Sequence, residues 1–196
     1  MFENAKWITR KPWNVWRMLP YEELPPAPYL TKSFDVEKEV ALAVLNIVAY
    51  GQGAYFINGK RIPDSYLPTM HSLTDKTLVY NSYDITEDIK QGKNKLGVVI
   101  GNNFQTNQVN PYRGYVRMIA QLDITYKDGT AEQIVSNTSW KTADSPILFD
   151  MRRCGEKFDA RLKIEGWCNP DFDDSHWDNA FICKGLGGKF RKKIVE

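Results

Sequence analysis

The sequence predicts an all-β protein, an antiparallel sandwich of short strands. Apolar residues recur in short runs bounded by Gly, Asn, Asp and Pro. Two of the gaps are the tight reversals Asn58-Gly59 and Asp128-Gly129, which accept the positive φ that a two-residue hairpin turn needs. No stretch carries the sustained 3.6-residue apolar period of a long amphipathic helix. At 196 residues the chain is long enough for a substantial core, and a sandwich of this size is a single domain.

Residues 1–30 place Trp7, Trp13 and Trp16 among Pro12, Pro20, Pro25, Pro26 and Pro28, a composition that resists helix and central strand alike. They are expected to form an extended arm whose rings staple it to the domain, with a sugar-stacking platform as the alternative use of those rings. The sandwich is assigned to residues 31–182 and opens on a strand that starts slightly earlier, Tyr29 to Phe34. Glu39 to Ala49 follows as a longer strand, apolar on both faces and therefore central, ended by Gly51-Gln52-Gly53. Ala54 to Ile62 is a hairpin turning at Asn58-Gly59. Pro63 to Lys76 is a loop, Leu78 to Tyr83 a strand, and Thr86 is placed to cap a short turn. Lys95 to Ile100 is a buried strand ending at Gly101-Asn102-Asn103-Phe104. Tyr115 to Tyr126 and Ala131 to Ser136 form the second hairpin. Residues 183–196, with Lys189, Arg191, Lys192 and Lys193, are expected to be a solvated tail or linker.

The balance of 26 basic and 24 acidic residues gives a formal charge of +2 and no electrostatic case for nucleic acid. The longest apolar stretch, Val40 to Tyr50, is too short to span a bilayer as a helix, and no secretory h-region is visible at the N-terminus, so no membrane partner is expected. Cys154, Cys168 and Cys183 lack metal-ligand spacing and are read as free thiols in the cytoplasm. No phosphate loop, His-containing metal motif or nucleophile elbow occurs, and His71 and His176 are far apart in sequence.

The chain is organised around Gly155-Glu156-Lys157-Phe158-Asp159-Ala160-Arg161, then Gly166-Trp167, then Phe172-Asp173-Asp174-Ser175-His176-Trp177. If Phe158 to Arg161 is extended, Asp159 and Arg161 share a face and can pair, while Glu156 and Phe158 share the other. A glycosidase needs two carboxyls facing one sugar bond, about 5 to 9 Å apart. Glu156 and Asp159 then diverge, so a structural or interface role is favoured over a catalytic pair.

These motifs resemble the closing signature of the N-terminal β-sandwich domain of bacterial α-L-rhamnosidases. Tyr55 to Gly59, Tyr80 to Thr86 and the run Gly92-x-Asn94-x-x-Gly97-Val98 resemble the same domain in the same order, over about residues 5–180. The resemblance implies a jelly-roll, galactose-binding-domain-like sandwich that accompanies catalysis rather than performing it, since the family's catalytic acids lie in a separate (α/α) barrel. No catalytic residue and no metal site are therefore assigned here. The expected role is an accessory domain of a rhamnosidase-like glycoside hydrolase, with the barrel of the same polypeptide as partner and L-rhamnose or rhamnosylated glycans as contacts. An autonomous, lectin-like carbohydrate-binding module is the alternative, and a stand-alone glycosidase using Glu156 and Asp159 is the third reading.

Two sets of site residues follow. Asn102, Asn103 and Phe104 stand where the family commonly has Gly-Asp-Gly-Trp, a loop that in related domains helps bind rhamnose, sometimes with Ca²⁺. Asn102 replaces the acid and removes the charge that makes a hard Ca²⁺ site strong, so no cofactor is assigned. Glu156, Phe158, Asp159, Arg161 and Trp167 form an expected interdomain docking face, on which Trp167→Ala would cost the isolated domain little.

Overall fold

The computed structural model of the chain describes residues 1–11, 25–62, 72–102, 115–151 and 155–194. Its strands are β1 (Ile8–Thr9), β2 (Pro28–Val36), β3 (Val40–Tyr50), β4 (Gln52–Ile57) and β5 (Lys60–Ile62). After β6 (Thr77–Asp84) come β7 (Gly92–Gly101), β8 (Arg117–Tyr126), β9 (Ala131–Val135) and β10 (Lys141–Asp144). The chain closes with β11 (Ile147–Met151), β12 (Gly155–Phe158), β13 (Asp178–Asn179), β14 (Phe181–Ile182) and β15 (Lys189–Lys192). Short 3-10 turns at Thr86–Asp88 and Ala160–Leu162 are the helical elements among the described residues.

The strands form the antiparallel sandwich that the sequence leads one to expect. One sheet runs β14-β1-β8-β3-β6-β15, with β9 also on β8; the other runs β13-β10-β2-β7-β4-β5. Alternation along each strand points Leu45, Ile47, Met118, Leu122 and Ile124 of the first sheet and Leu30, Tyr55, Val98 and Ile100 of the second into one shared core. As expected, β3 is central, paired to β8 on one side and β6 on the other. Its second half is buried on both faces.

That double burial has a cause at the N-terminus. Phe2 and Trp7 lie on the outer face of the seven-stranded sheet and form a second apolar cluster with Val48, Tyr50, Leu78 and Ile119. Trp7 packs against this face, and Ile8 and Thr9 continue into the sheet as β1. Trp13 and Trp16 lie outside the described residues.

Asn58-Gly59 forms as read, with φ of 51° and 83°, whereas in the second reversal Gly129 alone takes positive φ, 83°, its N–H donating to the Tyr126 carbonyl at 3.0 Å, so the turn spans Lys127 to Gly129 rather than two residues. The Thr86 turn is capped differently from expectation. The Asp84 carboxylate accepts from the backbone N–H (3.0 Å) and hydroxyl (2.6 Å) of Thr86, while the Thr86 hydroxyl oxygen accepts from the Ala43 N–H. A short acid two residues upstream reaches the turn more directly than Thr86 reaches its own backbone.

The C-terminal residues correct the reading of a tail at 183–196. Lys189–Lys192 form β15, the parallel partner of β6. Phe190 packs into the second apolar cluster, its ring 4.6 Å from that of Phe2. A charge-run reading passes over this single aromatic residue, whose burial outweighs the solvation of its basic neighbours.

Candidate functional site

Gly155–Phe158 pairs with Ile147–Met151 as a separate two-stranded ribbon. Every residue of β12 is exposed, and Phe158 is 50% exposed despite its size. The chain then leaves the strand: Asp159 N–H donates to the Pro146 carbonyl at 2.9 Å, and its carboxylate caps the 3-10 turn that follows. Arg161 donates Nε and Nη2 to the two Asp159 oxygens at 2.9 and 2.6 Å. The pair read from the sequence is present, but a turn joins its members rather than an extended strand. The Arg161 guanidinium, followed by the Arg161 N–H, holds the Asp159 carboxyl below the usual range, which keeps it a carboxylate and unsuited to protonating a leaving group. Leu162, 51% exposed, adds an apolar side chain beside Phe158 on this stretch.

Trp167 lies elsewhere. Residues 166–177 fold over the outer face of the six-stranded sheet, where the Trp167 ring stacks 4.3 Å from Tyr29 and meets Phe56 edge-on at 5.4 Å. Gly97 makes the approach possible, since a Cβ there would stand 2.8 Å from the indole. Beneath the same cover, the Lys95 ammonium, with a fully buried side chain, donates to the Phe172 carbonyl at 2.5 Å and to Asp174 at 3.1 Å. Asp174 also accepts from Thr31, and Trp177 stacks on the far side of Tyr29. The Trp167 indole thus makes its contacts within the sandwich, while Glu156, Phe158, Arg161 and Leu162 are exposed and Asp159 is half-buried beneath Arg161.

Asn102 is at the end of β7, 3% exposed. Its N–H and Nδ2 donate to Oδ1 of Asp150 at 2.9 and 3.2 Å, fastening β11 to the sandwich. Gly101 completes the joint, because a Cβ there would overlap the Asp150 carboxylate. This explains why an amide stands at 102: a second carboxylate would face Asp150. Asn102 also lines a cleft of about 250 Å³ with Thr9, Arg10, Lys11, Pro28 and Tyr115. The Arg10 guanidinium is paired two-pronged with Asp144, whose carboxyl is pushed up by burial against that pull. Asn103 and Phe104 lie outside the described residues. Sequence reasoning missed Asp150, Arg10 and Lys95; only Lys95 left a signal, as a lone cation in the run Lys95 to Ile100.

The fold defines an antiparallel β-sandwich domain with a small cleft and a two-stranded ribbon whose outer strand is exposed. The chain belongs to the α-L-rhamnosidase N-terminal domain family, whose profile it matches across residues 38–194. It is 33% identical over 181 residues, 89% of its length, to an α-L-rhamnosidase of Alteromonas sp. (strain LOR), and covers 20% of that protein. The structure of α-L-rhamnosidase from Dictyoglumus thermophilum superposes with a TM-score of 0.88 at 34% identity, over 97% of this chain and 22% of that one. Streptomyces avermitilis α-L-rhamnosidase, solved in complex with L-rhamnose, superposes with a TM-score of 0.77 at 29% identity, over 83% of this chain and 16% of that one. The chain therefore spans about a fifth of the length of these relatives.

Proposed function

We propose that this chain is a non-catalytic accessory domain of an α-L-rhamnosidase, docking on the catalytic unit of the same polypeptide through the exposed ribbon. The observation that carries the reading is β12, exposed at every residue, with its last residue Phe158 and the nearby Leu162 each about half exposed. A two-stranded ribbon is marginal in water unless something packs on it. Arg161 is also of a residue type enriched among interface hot spots. In keeping with this role, the Asp159 carboxylate is committed to Arg161, and Asp150, which stands across the ribbon from Glu156, is committed to Asn102. Hydrolysis of aryl α-L-rhamnosides by this chain alone is expected to stay at buffer background, and turnover that disappears in Glu156→Gln would overturn the reading.

A second reading, contact with a rhamnose-containing glycan, is favoured by the cleft at Asn102. Its volume lies below the roughly 300–1,000 Å³ of pockets for drug-sized ligands, which suits one sugar ring, and Tyr115 and three prolines give it an apolar wall. Titration with L-rhamnose should give a weak isotherm that Tyr115→Ala abolishes; no heat at millimolar sugar, with or without Ca²⁺, would remove this reading. The free thiols of Cys168 and Cys183 support placing the protein in a reducing, cytoplasmic compartment.

A further inference from the structure

The basic cluster near the C-terminus is unused by either reading, and the fold turns it into an ordered array. β15 is hydrogen-bonded to β6 on one side and is the terminal strand of its sheet. Phe190 anchors it from within, so Lys189, Arg191 and Lys192 are exposed on a fixed backbone rather than on a mobile tail. Lys76 joins them, its carbonyl accepting from the Lys189 N–H at 2.9 Å. Among the described residues none of these four cations is in an ion pair. The neighbouring acid, Asp75, is exposed and engaged in an interaction of its own.

We propose that the β15 edge is a docking strip for an anionic polysaccharide, with Lys76, Lys189, Arg191 and Lys192 meeting its charges and the outer backbone groups of β15 meeting its hydroxyls. An extended strand repeats a side-chain position every second residue, about 6.6 Å apart, so Lys189 and Arg191 form a linear row suited to an extended polymer. The outer N–H and C=O groups of a terminal strand are open to a partner, and sugar hydroxyls supply both donors and acceptors. Nucleic acid fits less well, because the chain as a whole carries a formal charge of only +2 and the described residues include no groove-reading helix. The strip is separate from the ribbon and the Asn102 cleft, and stands or falls without them.

Affinity electrophoresis of the full chain through gels containing polygalacturonate, dextran sulfate or neutral dextran tests the proposal, with a matched-charge DNA duplex as competitor. Retardation is expected with one or both acidic glycans, weakening as salt is added, and none with dextran; the carboxylate and sulfate arms identify the group preferred. The variant Lys189→Gln/Arg191→Gln/Lys192→Gln, which keeps Phe190, should melt with the wild type and bind about tenfold more weakly, its salt slope shallower by about three charges. Undiminished retardation of that variant, no retardation of the wild type by either acidic glycan, or equal displacement by DNA would overturn it. Should the triple variant fail to fold, Lys76→Gln and Arg191→Gln singly serve, each expected to weaken binding.

Discussion

The Asp150 carboxylate accepts two hydrogen bonds from Asn102, from its N–H at 2.9 Å and from its side-chain amide at 3.2 Å. One oxygen of β11 thereby joins the ribbon to the end of β7. The two groups of residues that sequence motifs mark out separately, at 102 and at 155–161, are parts of one connected structure.

Restoring an acid at this joint should therefore destabilise it. Asn102→Asp replaces a donor by a second carboxylate against Asp150, and an unsatisfied buried polar group alone costs about 1–3 kcal/mol. Because protonating one of two facing carboxyls relieves their repulsion, the loss should be larger at neutral pH than near pH 4. Denaturant melts of both proteins at the two pH values check this; an equal loss at both would place the damage elsewhere.

The cover over the six-stranded sheet should fail when its cation is removed. Lys95→Met leaves Asp174, 14% exposed, with Thr31 as its remaining side-chain donor. Breaking a buried pair from one side costs about 3–5 kcal/mol, and the residual exposure of Asp174 puts the expected loss toward the lower end. Trp167→Ala, in the same cover, should cost the isolated chain a loss approaching the roughly 3–5 kcal/mol of an emptied aromatic site, in contrast to the small effect expected of a docking residue. Urea titration of the two variants measures both.

Much of this was legible in the sequence, and the residues show why. Asn58-Gly59 and the doubly apolar run of β3 are local signals that formed as read, and Asp128-Gly129 marked its hairpin correctly though Gly129 alone took positive φ, because turn chemistry and alternation are properties of neighbouring residues. The positions of Trp167 and Phe190 were not local. Whether an exposed-looking aromatic packs on its own domain depends on what stands across from it, here Tyr29 and Gly97 for Trp167 and Phe2 for Phe190. Asp150 gave no signal at all, since nothing in its own neighbourhood says that it will cross over to Asn102.

The thiols provide a pH prediction. Burial pushes Cys168 and Cys183 up to about 11, from an ordinary value of 9.0. A thiol whose folded pKa is raised favours the folded state fully below the unfolded pKa, and that contribution is lost as pH rises toward the folded one. Stability should accordingly decline between about pH 9 and 11. In a Cys154→Ser background, disulfide-exchange labelling of Cys168 at pH 8 should be slow until the chain is unfolded, with the half-buried Cys183 labelling sooner; prompt labelling of Cys168 in the native chain would contradict its burial.

The docking of the ribbon is tested most directly by hydrogen exchange of the Gly155–Phe158 amides, measured in this chain alone and in a full-length rhamnosidase that carries it. Strands with few packed neighbours exchange early, and covering them slows exchange. The account predicts early exchange of these amides in the isolated chain and clear protection in the longer protein, with β3 and β8 unchanged between the two. Superimposable exchange of Gly155–Phe158 in both would contradict it and leave the ribbon a free appendage of the sandwich.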